Sequence, residues 1–516
     1  MNMKFNNKIK TFFCAGLLAA STTSCADWLE VKMEDQIMDN MLYSEESGFK
    51  IALNGVYLDM IGLYGSDLSA GKIDIMAQYY NVTENYNHTY KVYPGYKFDD
   101  GEYESFRDNV WTKAYRLIAN LNVLLEHCNE EGSVLSPKLY PIIKGEALAL
   151  RAMLHLDMLR LFGPVYNEAT ASEKCIPYQL SSLKDIQPLL PASEVLRNVI
   201  KDLEAASELL KDSDPIITDG VRNSLQNNNG LDNDFLNYRQ LRLNYYAVQA
   251  LLARAHAWKG DKTEAYNIAK NNIIDKITTE DLEVFPWITK EAYEMSGKPD
   301  RLFSSEVFFA IYKTDRSNLY QSLFSSSLHP RKSRLTIEGT APTDTKMMEL
   351  YDDINDWRLA MWDIIEPTKE EIDEALENKT QATNTIFFKK YQDFDSGAST
   401  NGTELYRYMI PLIRLSEVYL MAAEGAPTRE EAISYINAIR LHRGCRDLDE
   451  TELNLQDAIT KEFAKEVIGE GQLYFYYKRH AMESVFSGTN IEGLKQMSPS
   501  NYALPLPKSE TDKRVM

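Results

Sequence analysis

The stretch Leu243–Ile274, "LNYYAVQALLARAHAWKGDKTEAYNIAKNNII", decides the fold. Tyr246, Ala250, Ala253 and Ala257 recur at helical spacing, "KGD" at 259–261 interrupts them, and Ala265 and Ala269 resume the pattern. Small residues on the packed side let two helices approach across a short turn, as in tetratricopeptide hairpins. The same scheme recurs at 412–444. It recurs again where 142–163 faces 193–210, and where 110–128 faces 49–65. About four such pairs are present, and three are enough to bury a continuous face. The expected fold is therefore mainly α: tetratricopeptide-like helical hairpins with a loop-rich, irregular ligand-binding half and a few short strands.

The pairs are not contiguous. Residues 66–104, 212–237 and 281–403 lie between them, and connections this long usually carry function. Within the last, "SSEVFFAIYKTDR" (304–316) and "NTIFFKKYQ" (384–392) have the apolar patterning of short strands.

Composition narrows the function classes. The 516 residues are 44% hydrophobic and 26% charged, so wholesale disorder is excluded. A net charge of −20 spread along the chain leaves no electrostatic footprint for nucleic acid. There are 31 Tyr against 19 Phe and 6 Trp, and Tyr suits wet surfaces that must grip a ligand. The five cysteines include no C-x-x-C pair and imply no disulfide framework.

The N-terminus carries Lys4, Lys8 and Lys10, then an apolar run over 11–20 too short to span a bilayer, then "TTSC". Residues 1–24 read as an export signal, and Cys25 sits where a lipoprotein signal is cut and its thiol acylated. Two or more acyl chains would hold the protein stably at a membrane.

The search for catalytic chemistry yields no positive sign. No H-E-x-x-H zinc site and no G-x-S-x-G elbow occurs. Asp352, Asp353 and Asp356 in "YDDINDW" read as a helix-boundary or solvated cluster rather than a hydrolytic pair. "DFDSGASTNGTE" puts Asp393, Asp395 and Glu404 at the first, third and twelfth places of a calcium loop, but Gly397 and Ala398 break the pattern. No cofactor is expected, with calcium as the one weak candidate.

The insertion over 76–106, "MAQYYNVTENYNHTYKVYPGYKFDDGEYESF", interleaves tyrosines with asparagines. A sugar offers an apolar face for an aromatic ring and hydroxyl edges for planar amides, which points to an oligosaccharide ligand. The alternative is that these rings only pack the loop onto the helices.

Several stretches together carry a resemblance. They are the lipobox at Cys25, "WTKAYRLIANLNVLL" (111–125), "GEALALRAMLHLDMLRLFGPV" (145–165), "PLIRLSEVYLMAAE" (411–424), "AISYINAIRLHRG" (432–444), "EVIGEGQLYFYYKR" (466–479) and "YALPLPKSE" (502–510). In this order they resemble the SusD/RagB family of outer-membrane lipoproteins, with Gln472 standing where the family usually has an arginine. The resemblance implies an N-terminal region over 25–225 and a C-terminal region over 226–516, intertwined in one globule. It implies a non-enzymatic protein, lipid-anchored on the outer membrane and facing the exterior. Such a protein captures a glycan, in some cases a peptide, and closes as a lid over a SusC-like TonB-dependent transporter. By position, the aromatic platforms of the family fall in the insertion and around 287–320, giving Tyr79, Tyr80, Asn85, Tyr86, Trp287 and Tyr320 as candidate ligand contacts. The rival reading is a helical-repeat protein-binding or assembly factor.

The anchor is directly testable. A Cys25→Ala variant should leave the outer-membrane fraction when the transporter is absent, read by fractionation and immunoblotting; retention there would overturn lipid anchoring at Cys25.

Overall fold

The computed structural model describes residues 40–514 except 83–86, 184, 223–234, 340–348, 380–381, 383, 394–404, 450–453 and 489–492. Cys25, Asn85, Tyr86, Asp395 and Glu404 thus lie outside the described residues. The helices used below are α1 (Glu46–Met60), α2 (Lys72–Met76), α3 (Gly101–Cys128), α4 (Tyr140–Phe162), α5 (Ala192–Leu210), α6 (Tyr245–Lys259), α7 (Lys262–Asn267), α8 (Lys290–Tyr293), α9 (Arg316–Leu323), α10 (Leu415–Gly425), α11 (Arg429–Leu441), α12 (Leu455–Glu466) and α13 (Leu473–Arg479).

The hairpins form where the alanine patterns place them. α3 packs on α1, α4 on α5, α6 on α7 and α10 on α11. In the quoted stretch the Asn244 side chain caps α6 by accepting the Ala247 N–H, and Asp261 caps α7 by accepting from Glu264. Between them Gly260 has φ +84°, a left-handed turn that a side chain would strain. α7 then widens into a π-helical turn over Ile268–Ile274.

Every residue of α4 from Gly145 to Phe162 is buried, so its charged residues must find partners inside the protein. Arg151 forms a two-pronged pair with Asp202 of α5 at 2.8 and 3.0 Å and also donates to Asn122 of α3. Glu146 accepts from Arg239 at 2.6 Å and from the Tyr57 hydroxyl of α1 at 2.8 Å. Arg160 pairs with Asp157 and donates to Gln472 at 2.9 Å, so Gln472 has a buried hydrogen-bond role of its own. Arg254 of α6 bridges to Glu417 of α10 at 2.8 and 2.6 Å, tying the third hairpin to the fourth.

The strands are short. β1 (Lys174–Ile176) pairs with β2 (Leu190–Pro191), and β3 (Val307–Tyr312) pairs antiparallel with β7 (Met409–Arg414). β4 (Thr336–Gly339), β6 (Asn384–Phe388) and β5 (Trp362–Ile365) form one sheet with β6 central. β3 and β6 fall in the two stretches read as strands. Leu412–Arg414, which the repeat pattern assigns to a helix, instead end β7, because Phe309 and Val307 of β3 pair with Ile413 and Arg414. The helix begins only at Leu415.

Where β3, β7, α11, α12 and the 466–472 turn meet, the core is ionic. Glu466 accepts from three arginines: Arg358 at 2.7 Å, Arg443 at 2.8 and 3.0 Å, and Arg414 at 3.0 Å. Glu306, at the entry to β3, takes the other edge of Arg443 at 2.9 and 2.7 Å. Glu470 holds Lys390 at 2.5 Å and Arg414 at 2.6 Å, and Asp356 holds Arg358 at 2.8 and 2.6 Å. These side chains are at most 3% exposed. The turn itself needs glycine: Gly471 has φ +73°, and a Cβ there would stand 2.2 Å from the Leu68 carbonyl oxygen. That close approach lets the Asp74 carboxylate of α2 accept the N–H groups of Gly469 and Gly471, fastening the N-terminal insertion to the C-terminal turn.

Burial alone would raise the Glu466 carboxyl, but Arg443, Arg414 and Arg358 outweigh it and hold it well below the ordinary glutamate value. An unfolded Glu takes up its proton near pH 4.3, and native Glu466 only at much lower pH. Its stabilisation is therefore complete above that unfolded value and is lost as pH falls below it toward the native value. Removing the carboxylate strands buried guanidinium groups. Glu466→Ala should cost about 3–5 kcal/mol at neutral pH, measured by urea denaturation, and should flatten the loss of wild-type stability below about pH 4.

Candidate ligand-binding cleft

A cleft of about 460 Å³ opens in the irregular half, between the 293–301 segment on one side and Ala360, Lys389, Gln392 and Asp393 on the other. Its walls are set by the ionic core beneath. Thr289 caps α8 by accepting the Ala292 N–H, and the chain after α8 is folded back by the buried carboxylate of Asp300. That carboxylate accepts N–H groups from Leu302 and Ser304 and the Ser304 hydroxyl at 2.6 Å. Burial raises the Asp300 carboxyl, and these hydrogen bonds partly offset the rise. The turn puts Phe303 in the left-handed region at φ +56°. There one side of the ring stacks on Tyr293 at 5.5 Å, while the Arg443 guanidinium lies 4.1 Å from its centroid. The opposite wall follows from strand alternation: beyond β6, Lys390 points into the ionic core while Lys389 lines the cleft. Likewise Arg358 enters the core, and Ala360 of the same short 3₁₀ turn lines the cleft.

The cleft holds both polar and apolar groups. Arg301, Lys389, Ser296 and Gln392 offer donors and Met295 is 48% exposed, while Tyr293, 2% exposed and stacked on Phe303, closes the floor and presents no open ring face. Asp393 is held by Arg407 at 2.6 and 2.8 Å. Tyr320 of α9 is 5% exposed; burial raises its hydroxyl, with Arg301 near enough to counter this in part.

The other candidate contacts are placed differently. Tyr79 is 6% exposed and donates to the Ala464 carbonyl at 2.6 Å. Tyr80 is fully buried against Phe324, and its hydroxyl has no hydrogen-bond partner among the described residues. Tyr93 and Tyr96 of the same insertion are buried too. In this conformation none of these four rings presents a face to solvent; they pack inside the fold, which differs from the stacking role read for Tyr79 and Tyr80. Trp287 is half-buried on the α10–α11 hairpin, stacked on His442 at 4.8 Å and edge-on to Tyr419 at 5.0 Å. Among the described candidates only Tyr320 comes near the cleft, close enough to Arg301 to feel its charge but not part of the lining. Arg301, Lys389, Gln392 and Met295 were not singled out by sequence, where "MSGKPDR" shows nothing but turn chemistry.

Asp352, Asp353 and Asp356, considered for catalysis, are otherwise engaged. Asp352 is bound by Lys465 and Arg440, each at 2.9 Å; burial alone would raise it, and these cations bring it down to about 2. Asp353 accepts the backbone N–H groups of Arg446 and Asn355, and Asp356 caps the turn that starts at Trp357. Among the described residues no group of three His, Cys, Asp or Glu side chains could hold a metal, and no helix is long and apolar enough to cross a membrane.

Comparison with known proteins agrees with this architecture. Residues 363–514 match the SusD family, and residues 27–218 match the family described as starch-binding, associating with the outer membrane. The fold resembles that of a SusD superfamily protein from Bacteroides thetaiotaomicron, with TM-score 0.66 and 21% identity over 91% of this chain and 98% of that one. A SusD-like carbohydrate binding protein from Bacteroides vulgatus gives TM-score 0.63 and 18% identity over 90% of this chain and 96% of that one. Surface glycan-binding protein A from B. thetaiotaomicron gives 0.58 and 16% over 92% and 98%. No functionally curated protein sequence matches the chain.

Two variants at one position test the packing assignment. Tyr80→Ala should lower stability by about 3–5 kcal/mol as a core truncation, whereas Tyr80→Phe removes only an unpartnered hydroxyl and should leave the urea midpoint unchanged or slightly raised. A large loss in Tyr80→Phe would show that the hydroxyl has a partner.

Proposed function

The chain belongs to the SusD family, and from that premise we propose that it is a non-enzymatic, cell-surface lipoprotein that captures an oligosaccharide and delivers it to a SusC-like TonB-dependent transporter. The observation that carries the reading is the open cleft between 293–301 and 389–393. Its volume suits a small-molecule ligand, and it combines amide, hydroxyl and cationic donors with the exposed apolar side chain of Met295. The family match over 27–218, with its description as starch-binding and outer-membrane-associated, supports the ligand class and the location. Cys25 would supply the anchor.

In this reading Gln392 and Ser296 hydrogen-bond sugar hydroxyls and Met295 covers an apolar ring face. Tyr320 stiffens the cleft from behind, and Trp287 is a separate contact on the hairpin side. The transporter below contributes its own sugar site, so that ligand held between the two gains avidity and the protein acts as a lid.

Affinity gel electrophoresis of the mature chain against a panel of neutral and acidic glycans tests this. At least one glycan should retard migration, and Gln392→Ala should weaken that binding by about 1 kcal/mol, roughly fivefold. No retardation by any glycan, together with binding to peptides, would overturn the saccharide assignment.

A further inference from the structure

The two cations and two carboxylates that line the cleft balance in number but are not evenly paired. Of the two carboxylates, Asp393 is clamped by Arg407 at 2.6 and 2.8 Å, whereas Glu294 meets Lys290 only at 3.8 Å with both side chains half exposed, a weak contact. The two lining cations are not matched in the same way. Among the described residues Lys389 reaches only Asp363, at 3.4 Å, and that carboxylate, 57% exposed and shared electrostatically with Arg301, is a weak partner for either. Arg301 is half-buried, lines the cleft, and has no carboxylate, carbonyl or hydroxyl within hydrogen-bond distance of its guanidinium among the described residues.

The contrast with other arginines that lack a carboxylate partner is informative. Arg316 donates to the Tyr406 and Met409 carbonyls, and Arg334 donates to the Ser326 carbonyl and the Thr385 hydroxyl. Each of these guanidinium groups is tied to the fold through its terminal nitrogens, although the Nε–H of each has no partner among the described residues. Arg301 carries the cost of partial burial without that return, and its five N–H donors form a planar fork suited to a two-oxygen anion. Burial lowers its proton affinity, yet a guanidinium stays charged at any physiological pH.

We propose that the cleft selects an acidic saccharide, one bearing a carboxylate or a sulfate, with Arg301 as the anion's ligand and Lys389 as the second cation. The inference rests on the reading of the cleft as a saccharide site and adds the charge of the ligand. An anion there pairs with the one unsatisfied guanidinium of the lining, in a partly desolvated place where a charged hydrogen bond is stronger than on open surface. A neutral sugar would leave that group as it is.

The mature protein is titrated calorimetrically with four polymers: polygalacturonate, its fully methyl-esterified form, a sulfated galactan and its desulfated form. Each charged member should bind about tenfold or more tightly than its neutral counterpart if its anion is the one recognised, and the carboxylate and sulfate arms report separately which anion that is. Arg301→Gln should abolish the preference while its melting temperature stays at the wild-type value. Arg301→Lys should retain part of it, and carries the test if the Gln variant does not fold. Raising salt from about 50 to 500 mM should weaken the charged ligand and spare the neutral one. Equal binding of both members of each pair, or a preference that survives Arg301→Gln, overturns the inference and leaves the saccharide reading standing. Absence of binding to all four overturns the anion assignment, whereas the saccharide reading falls only if the wider glycan panel fails as well and peptides bind.

Discussion

Glu466 and the three guanidinium groups around it are what the two halves of this protein have in common. Arg443 comes from the end of the last hairpin, Arg414 from the end of β7, Arg358 from the irregular segment, and Glu466 from the end of α12. Four distant parts of the chain therefore converge on one carboxylate. Such a cluster is not an efficient source of stability, because desolvating the charges consumes most of the Coulombic gain. What it supplies is intolerance of partial assembly, since displacing any one segment leaves a buried charge without its counter-ion.

The cleft follows from that constraint. Phe303 lies over Arg443 and supports Tyr293; Lys390 enters the ionic core and so aims Lys389 the other way; Arg358 does the same for Ala360. A ligand site in a loop-rich region usually risks being too loose to discriminate. Here Lys390 and Arg358, beside the lining residues Lys389 and Ala360, are fixed by buried ion pairs, and Asp300 holds the other wall through its hydrogen bonds to Leu302 and Ser304.

Helical hairpins could be read directly because their cause is local. Alanine spacing, Asn244 and Asp261 as caps, and Gly260 as the break act within a few residues of one another. The motifs at 145–165, 411–424 and 466–479 were legible as family resemblance, and their physical meaning emerged only in three dimensions. Glu146, Arg151, Arg414, Glu417, Glu466 and Glu470 are members of buried ion pairs. Tyr79 and Tyr80 of the aromatic insertion are buried, and their sequence does not show it for a reason particular to tyrosine. The residue packs like Phe and hydrogen-bonds like a surface group, so a run of Tyr and Asn reads alike whether it grips a ligand or seals a core. Tyr79 and Tyr80 do the second, against Ala464 and Phe324, partners far away in sequence.

By itself the sequence determined the helical class, the position of the hairpins, the strands at 307–312 and 384–388, and the family, because each depends on periodicity or on short motifs. The tertiary structure alone decided which charges are neutralised. Arg301 and Arg443 are indistinguishable as letters. One is enclosed by Glu306 and Glu466, and the other is left facing an open cleft, because pairing depends on where distant carboxylates arrive once the chain has folded.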